Sequence, residues 1–383
     1  MKSVLIVSSE MDLHSWVVRW AIRKAGNSSE ILETFMSDGF TPVDIEINPD
    51  HDGKFASSPI ENDIDSIWGR RLFKIAMPAN AGENDSFRIR EMNTFLRAHV
   101  EYLSHVNEIR WINNFSKVNY AENKIFQLKA AADANMDIPY TLFSNKASRI
   151  RDFVNRYNEI IIKPYIPYIW EYTKDSSGKG ALATLVSKKQ IEEISDIDLE
   201  CCPAIYQTII EKVADWRVVF IENKIFSYRI TQLSNQDIDF RSQLSKQDSL
   251  SIECIETPSH LNKKVCDLMK YFQIEFASMD FAEDKNGNLF FLDLNPGGNW
   301  LFLDKVGKES LLQNFCSLLT FGKIDERRFD FPTYTDFEED KDEMSRFTLR
   351  HDEIAPVLLD NQSSIRWFDI NNDEVKNYFG VKT

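Results

Sequence analysis

Long apolar runs are missing from this 383-residue sequence: nothing approaches the roughly 20 consecutive apolar residues that a membrane helix requires. The N-terminal run, Val4 to Val7, is too short for a secretory signal and fits a first buried strand. Cysteine is sparse. Its five residues, Cys201, Cys202, Cys254, Cys266 and Cys316, form no C-x-x-C pair and no zinc-finger spacing, so they read as reduced thiols of a cytoplasmic protein. The six histidines stand apart, without H-E-x-x-H or a similar cluster, which argues against zinc. Basic residues are in deficit as well, 45 Lys and Arg against 60 Asp and Glu, for a net charge of −15. A surface of that sign repels phosphate backbones, so neither nucleic acid nor membrane is an expected partner. A small basic pocket remains compatible with it.

What is present is the composition of a globular chain, 43% hydrophobic and 27% charged, and longer than one ordinary core holds. Strand-like runs at 3–8, 40–47 and 66–68 alternate with helical patterns at 12–25 and 87–109, which predicts a small α/β domain over 1–113. Helix is expected over 117–136, ended by Ile138-Pro139, and strand over 159–163, stopped by Pro164. Residues 114–205 and 206–323 form two further expected subdomains. A charged extension, 324–383, has no assigned role, and its acidic stretch 336–343 reads as solvated linker.

The sharpest signal is a hairpin, Phe276–Asp284 with Leu289–Leu294, around Asn286-Gly287. With those two residues as the loop, Lys285 pairs with Asn288 and Asp280 falls opposite Asp293. Alternation places Asn295 on the same face as Asp293. Two facing carboxylates about 5 Å apart repel by roughly 3 kcal/mol at an effective dielectric near 20. A divalent cation relieves that, and Mg²⁺ favours one or two carboxylates plus nucleotide phosphate. The flanking Phe290, Phe291, Leu292 and Leu294 make a merely solvated carboxylate pair the poorer reading.

Phe291-Leu-Asp-Leu-Asn-Pro296, preceded by Ser278-Met-Asp-Phe281, resembles the metal-binding end of the ATP-grasp fold. The continuation Gly297-Gly-Asn-Trp300 is similar to the microviridin-type (graspetide) peptide ligases, with Asn299 and Asp293 where those sequences have Gln and commonly Glu. Other segments follow in family order: Ile67-Trp-Gly-Arg-Arg71, Asn123 to Lys129, Ile161-Ile-Lys-Pro164, Gln207 to Lys212, Asp215-Trp-Arg-Val218 and Asp239-Phe-Arg241. Two features depart from it. Residues 165–172 are aromatic where a compact glycine- and serine-rich loop is usual, and nothing after 323 has a counterpart.

The resemblance implies an α/β (α+β) ATP-grasp fold, with a small N-terminal domain before two subdomains that clasp ATP. It implies ATP and Mg²⁺ as cofactors, with Asp280, Asp293 and Asn295 on the ion and Lys124 and Lys163 on the phosphates. Gln207, Ile209, Ile210 and Glu211 belong to the linker that receives adenine, and Asp215 and Arg217 to the pattern after it. Asp215 is read either as a ribose acceptor or as a salt-bridge partner of Arg217. Gly178 and Gly180 suit either a phosphate lid or a surface turn, and Arg241 either a catalytic cation or a partner of Asp239. Trp68, Arg70 and Arg71 fit a domain interface. The implied reaction is ATP-dependent ligation through an acyl phosphate, joining Asp or Glu side chains of a precursor peptide to Ser, Thr or Lys. A leader segment would dock around Tyr165–Val186. A small-molecule carboxylate–amine ligase and a non-catalytic ATP-binding protein are the alternatives, and a homodimer stays open.

Overall fold

The computed structural model describes residues 1–8, 12–33, 44–46, 56–58, 64–70, 83–105, 109–165, 168–172, 178–181, 183–233 and 249–350. The N-terminal unit comprises β1 (Ser3–Ser8), α1 (Leu13–Lys24), β2 (Ser28–Glu33), β3 (Asp44–Glu46), β4 (Ala56–Ser58), β5 (Ser66–Gly69), α2 (Glu83–Leu103) and β6 (Arg110–Ile112). Its main sheet has the order β2-β1-β5-β6, all parallel, and β3 pairs separately with β4. Both faces are covered, as parallel sheets require. Val4, Ile6, Trp68 and Ile112 pack toward α1, whereas Leu5, Val7, Ile67 and Trp111 pack with Val100 and Leu103 of α2. Of the strand expected over 40–47, only Asp44–Glu46 lies within the described residues.

The middle of the chain holds α3 (Phe115–Ala121), α4 (Lys124–Asp133), β7 (Thr141–Ser144), α5 (Ala147–Tyr157), β8 (Glu159–Lys163), β9 (Tyr168–Tyr172), β10 (Gly178–Ala181), β11 (Thr184–Ser187), α6 (Lys188–Glu192), α7 (Asp196–Glu200) and β12 (Ala204–Thr208). The single helix expected over 117–136 is two, because the Asn123 side chain accepts from the amides of Ile125 and Phe126 and so starts a new helix there. An antiparallel sheet, β11-β8-β12-β7, buries Ile160, Ile162 and Tyr206 under Ile150 and Val154 of α5. The expected division at 205/206 falls inside β12; the sheet ends at Thr208, before a linker at 209–211.

The third unit is a five-stranded antiparallel sheet, β15-β14-β13-β16-β17, from β13 (Lys212–Ile221), β14 (Lys224–Gln232), β15 (Leu250–Ile255), β16 (Phe276–Asp284) and β17 (Leu289–Asn295). One face, with Val218, Phe220, Met279 and Phe281, packs on α8 (Ser259–Phe272). The other face divides along its length. Val219, Ile221, Tyr228 and Phe276 are buried against α10 (Leu311–Phe321), which follows the short α9 (Leu301–Asp304). The remaining half carries Asp215, Arg217, Asp280 and Asp293. α10 is a shared wedge: Phe315 lies 4.8 Å from the ring of Trp68 and 4.7 Å from that of Phe276.

The C-terminal extension is not plain linker as far as residue 350. A 3-10 turn (Glu326–Asp330), α11 (Tyr334–Glu339) and helical residues 341–350 fold back on α1. Phe331 and Phe337 are buried, Phe337 ring-to-ring with Trp20 at 5.2 Å and Phe347 with Trp16 at 5.6 Å. The acidic stretch at 336–343 hides one such anchor, so its reading as solvated fails at Phe337 and at Asp340, which accepts from Trp20 Nε1 at 3.0 Å.

Candidate active site

Asp280 does lie opposite Asp293, but by a route other than the expected one. The loop has three residues rather than two: Asp284 receives Gly287 N–H and pairs with Asn288, and Gly287 has φ +81°. That offset is cancelled by a bulge in β17 between the pairs Phe281–Phe291 and Asp280–Asp293, so Leu292 has no partner of its own. The bulge is held from outside the hairpin. Phe291 N–H donates to Asp137 O at 2.8 Å, and Gln127 brackets Leu294, accepting from its N–H at 3.1 Å and donating to its carbonyl at 2.7 Å. The extra residue lets two successive side chains, Leu292 and Asp293, line one cleft while Phe291 and Leu294 stay in the core.

This cleft, of about 780 Å³, lies between the four-stranded and five-stranded sheets. Ile161, Leu185 and Ile205 form one apolar wall, Ala282 and Leu292 the other, and the linker of Ile209, Ile210 and Glu211 closes the end. Lys124, Lys163, Gln207, Asp215, Asp280 and Asp293 also line it. Gln207 is buried and donates to Thr141 Oγ1 at 3.0 Å. Arg217 and Asn295 lie beside the cleft on the same sheet. Asn295 pairs with Ser278, and its Oδ1 accepts from Gly297 N–H at 2.9 Å.

Each acidic residue already faces a cation. Lys124, at the first turn of α4, donates to Asp293 Oδ1. Arg217 sits across from Asp280 and meets its Oδ1 at 2.8 Å. Asp215 takes both of its 2.8 Å bonds from Lys212, so its partner is not the Arg217 considered from the sequence. Arg217 Nε is buried with no hydrogen-bond partner among the described residues. No group of three His, Cys, Asp or Glu poised for a metal occurs among the described residues. Two carboxylates and a carboxamide, all oxygen donors and already drawing cations, fit Mg²⁺ that arrives with phosphate ligands.

Of the remaining sequence candidates, Gly178 and Gly180 lie on β10, paired antiparallel with β9. Arg241, Asp239 and Arg71 lie outside the described residues. Three contributors were missed. Gln127 follows Lys124 by three positions and so shares its helix face, a signal available in the sequence. Leu292 and Lys212 gave none, since one depends on a bulge and the other on which acid its strand end reaches.

Residues 123–285 match the family model of the ATP-grasp domain of prokaryotic glutathione synthetase. The fold as a whole is also that of solved ATP-grasp ligases. A RiPP-associated ATP-grasp ligase of Chryseobacterium gregarium, in complex with ADP and a leader and core peptide, is 19% identical, with a TM-score of 0.69 over 85% of this chain and 99% of that one. The macrocyclase MdnC of Microcystis aeruginosa, bound with precursor peptide MdnA, is 20% identical, with a TM-score of 0.66 over 82% and 98%. The ligase PsnB, complexed with minimal precursor, Mg and ADP, is 19% identical, with a TM-score of 0.63 over 82% and 96%. No curated protein sequence matches the chain. No helix among the described residues is long and apolar enough to cross a membrane.

Proposed function

We propose that this chain is an ADP-forming ligase that activates a carboxylate with Mg-ATP and joins it to a hydroxyl or amine, acting on a precursor peptide. The observation that carries the proposal is the facing pair Asp280 and Asp293, each beside a cation, in a cleft that also has two apolar walls. An apolar slot suits a purine, and Lys124 and Lys163 supply point charges for phosphates. Asp280, Asp293 and Asn295 would hold Mg²⁺, which neutralises charge on the transferred phosphoryl group. With the ion in place, Lys124 and Arg217 exchange their carboxylate contacts for phosphate or substrate oxygens. Ile209 and Ile210 offer backbone groups to the base, and Asp215 is placed to accept from the ribose. Arg241 would be the cation at the phosphoryl group in flight, and Gly178 and Gly180 the lid above it. A substrate carboxylate oxygen takes the γ-phosphoryl group with ADP as leaving group. A Ser, Thr or Lys side chain then displaces phosphate from the acyl carbon, forming an ester or amide.

The peptide part of the proposal draws on the neighbours solved with precursor peptides and on the β9–β10 hairpin, which suits a leader dock. The glutathione synthetase match favours a second reading, a ligase of small carboxylates and amines. One experiment separates them. Purified protein, ATP and Mg²⁺ are incubated with a candidate precursor peptide whose C-terminus is rich in Thr or Ser and in Asp or Glu. Products lighter by one water per bond, with one ADP each, are expected. ADP release that ignores the peptide and responds to free amino acids would favour the small-molecule ligase.

A further inference from the structure

Arg70, at the end of β5, is fully buried, and its guanidinium crosses from the N-terminal sheet to the turn that follows the ion-site strand. Nη1 donates to the carbonyls of Gly297 at 2.6 Å and Gly298 at 3.2 Å, and Nη2 donates to Asn299 Oδ1 at 2.9 Å. Nε donates to Asp12 Oδ1 at 2.9 Å, a carboxylate almost as buried as Arg70 itself. On its other side the turn meets β16: a Cβ on Gly298 would fall 1.7 Å from Ser278 Oγ, and Ser278 is the cross-strand partner of Asn295. Between these limits Gly297 gives its N–H to the Asn295 carboxamide oxygen. The rigid, planar fork of an arginine holds three acceptors of one turn in fixed geometry, which a flexible ammonium does not.

Packing alone does not require those acceptors to lie within four residues of an ion ligand. We infer that Arg70 is a positioning residue for the ion site: it fixes the turn at 297–299, the turn orients the Asn295 carboxamide, and the N-terminal sheet thereby sets the affinity for a divalent cation. The inference rests on the Mg-ATP reading above. Partners that orient a metal ligand commonly change affinity by 10- to 100-fold when lost.

The test uses the full chain with Mn²⁺ as a paramagnetic probe. Removing Arg70 alone would strand the buried Asp12 charge, so the main variant is the pair Asp12→Asn with Arg70→Gln. Asn still caps α1. Arg70→Lys is the conservative variant, and Asn299→Ala loosens the turn while leaving the buried ion pair intact. ADP affinity without metal is measured by calorimetry, and Mn²⁺ affinity in the presence of ADP by loss of the free-ion EPR signal. Metal-free ADP binding within about twofold of wild type is expected, with Mn²⁺ binding weaker by about tenfold or more in the double variant. Arg70→Lys and Asn299→Ala should shift in the same direction by less. Mn²⁺ affinity unchanged in the folded variants, or metal-free ADP affinity falling in parallel, overturns the inference. If the Arg70 variants do not fold, an unchanged Asn299→Ala overturns it equally. A wild-type protein that binds neither ADP nor Mn²⁺ refutes instead the Mg-ATP reading beneath it.

Discussion

Asp293 and Asp280 carry like charges on neighbouring strands, and the chain supplies a cation to each. The Lys124–Asp293 pair is partly exposed, so its net worth to stability is about 0–1 kcal/mol. Asp293→Asn should therefore leave thermal unfolding within a few degrees of wild type. Turnover should fall by about a hundredfold or more, since the lost charge acts where the transition state is most anionic. Unfolding followed by circular dichroism, beside peptide-dependent ADP release, checks both halves, and full Mg²⁺-dependent turnover would remove Asp293 from the ion site. At this scale the sequence was legible in placement, where motif and strand alternation put Asp280, Asp293 and Lys163 together and all three do line the cleft. It was not legible where a side chain chooses among several partners in space. Asp215 takes Lys212 rather than Arg217, because Arg217 falls opposite Asp280 once β13 pairs with β16.

The β16–β17 hairpin shows how an element can be right in outcome and wrong in detail. Asn286-Gly287 marked the turn, but strand register also depends on what holds the outer edge, here Asp137 and Gln127 from segments more than 140 residues upstream. Neighbouring residues on β17 consequently have opposite duties. Phe291→Ala should destabilise the fold by about 3–5 kcal/mol, being wholly buried. Leu292→Ala should barely move the unfolding temperature yet weaken ATP binding about tenfold, roughly 1.4 kcal/mol of lost apolar contact. Nucleotide calorimetry on both variants distinguishes them, and equal ATP affinity in Leu292→Ala would take the bulge out of the base slot. The C-terminal helices supply a second element-scale prediction. The Lys24 ammonium, the Glu343 amide and the Trp20 indole hold Asp340 down at about 2, from an ordinary 3.8. A depressed carboxylate stabilises the folded state above its unfolded value and loses that stabilisation on acidification toward the folded one. Docking of residues 334–347 on α1 should therefore weaken as pH falls from about 4 to about 2. Trp20 fluorescence should report that transition in wild type and lack it in Asp340→Asn.

Across the whole molecule the legible parts were the parallel strands of the N-terminal sheet and the antiparallel hairpins of the five-stranded sheet. Hydrophobic periodicity and turn residues carry that information locally. How the units close on each other was not legible, because the closing contacts join distant segments through single side chains, Arg70 to Gly297 and Ser66 to Leu319 among them. The same closure has a consequence for synthesis. The N-terminal sheet has its strands by residue 112, yet one face needs α10, and Trp20 needs Phe337. While a ribosome is still making the central sheets, the indoles of Trp16, Trp20 and Trp68 have no lasting cover. The N-terminal sheet is thus expected to mature only once residues 311–347 are available to cover it, and to engage a chaperone until then.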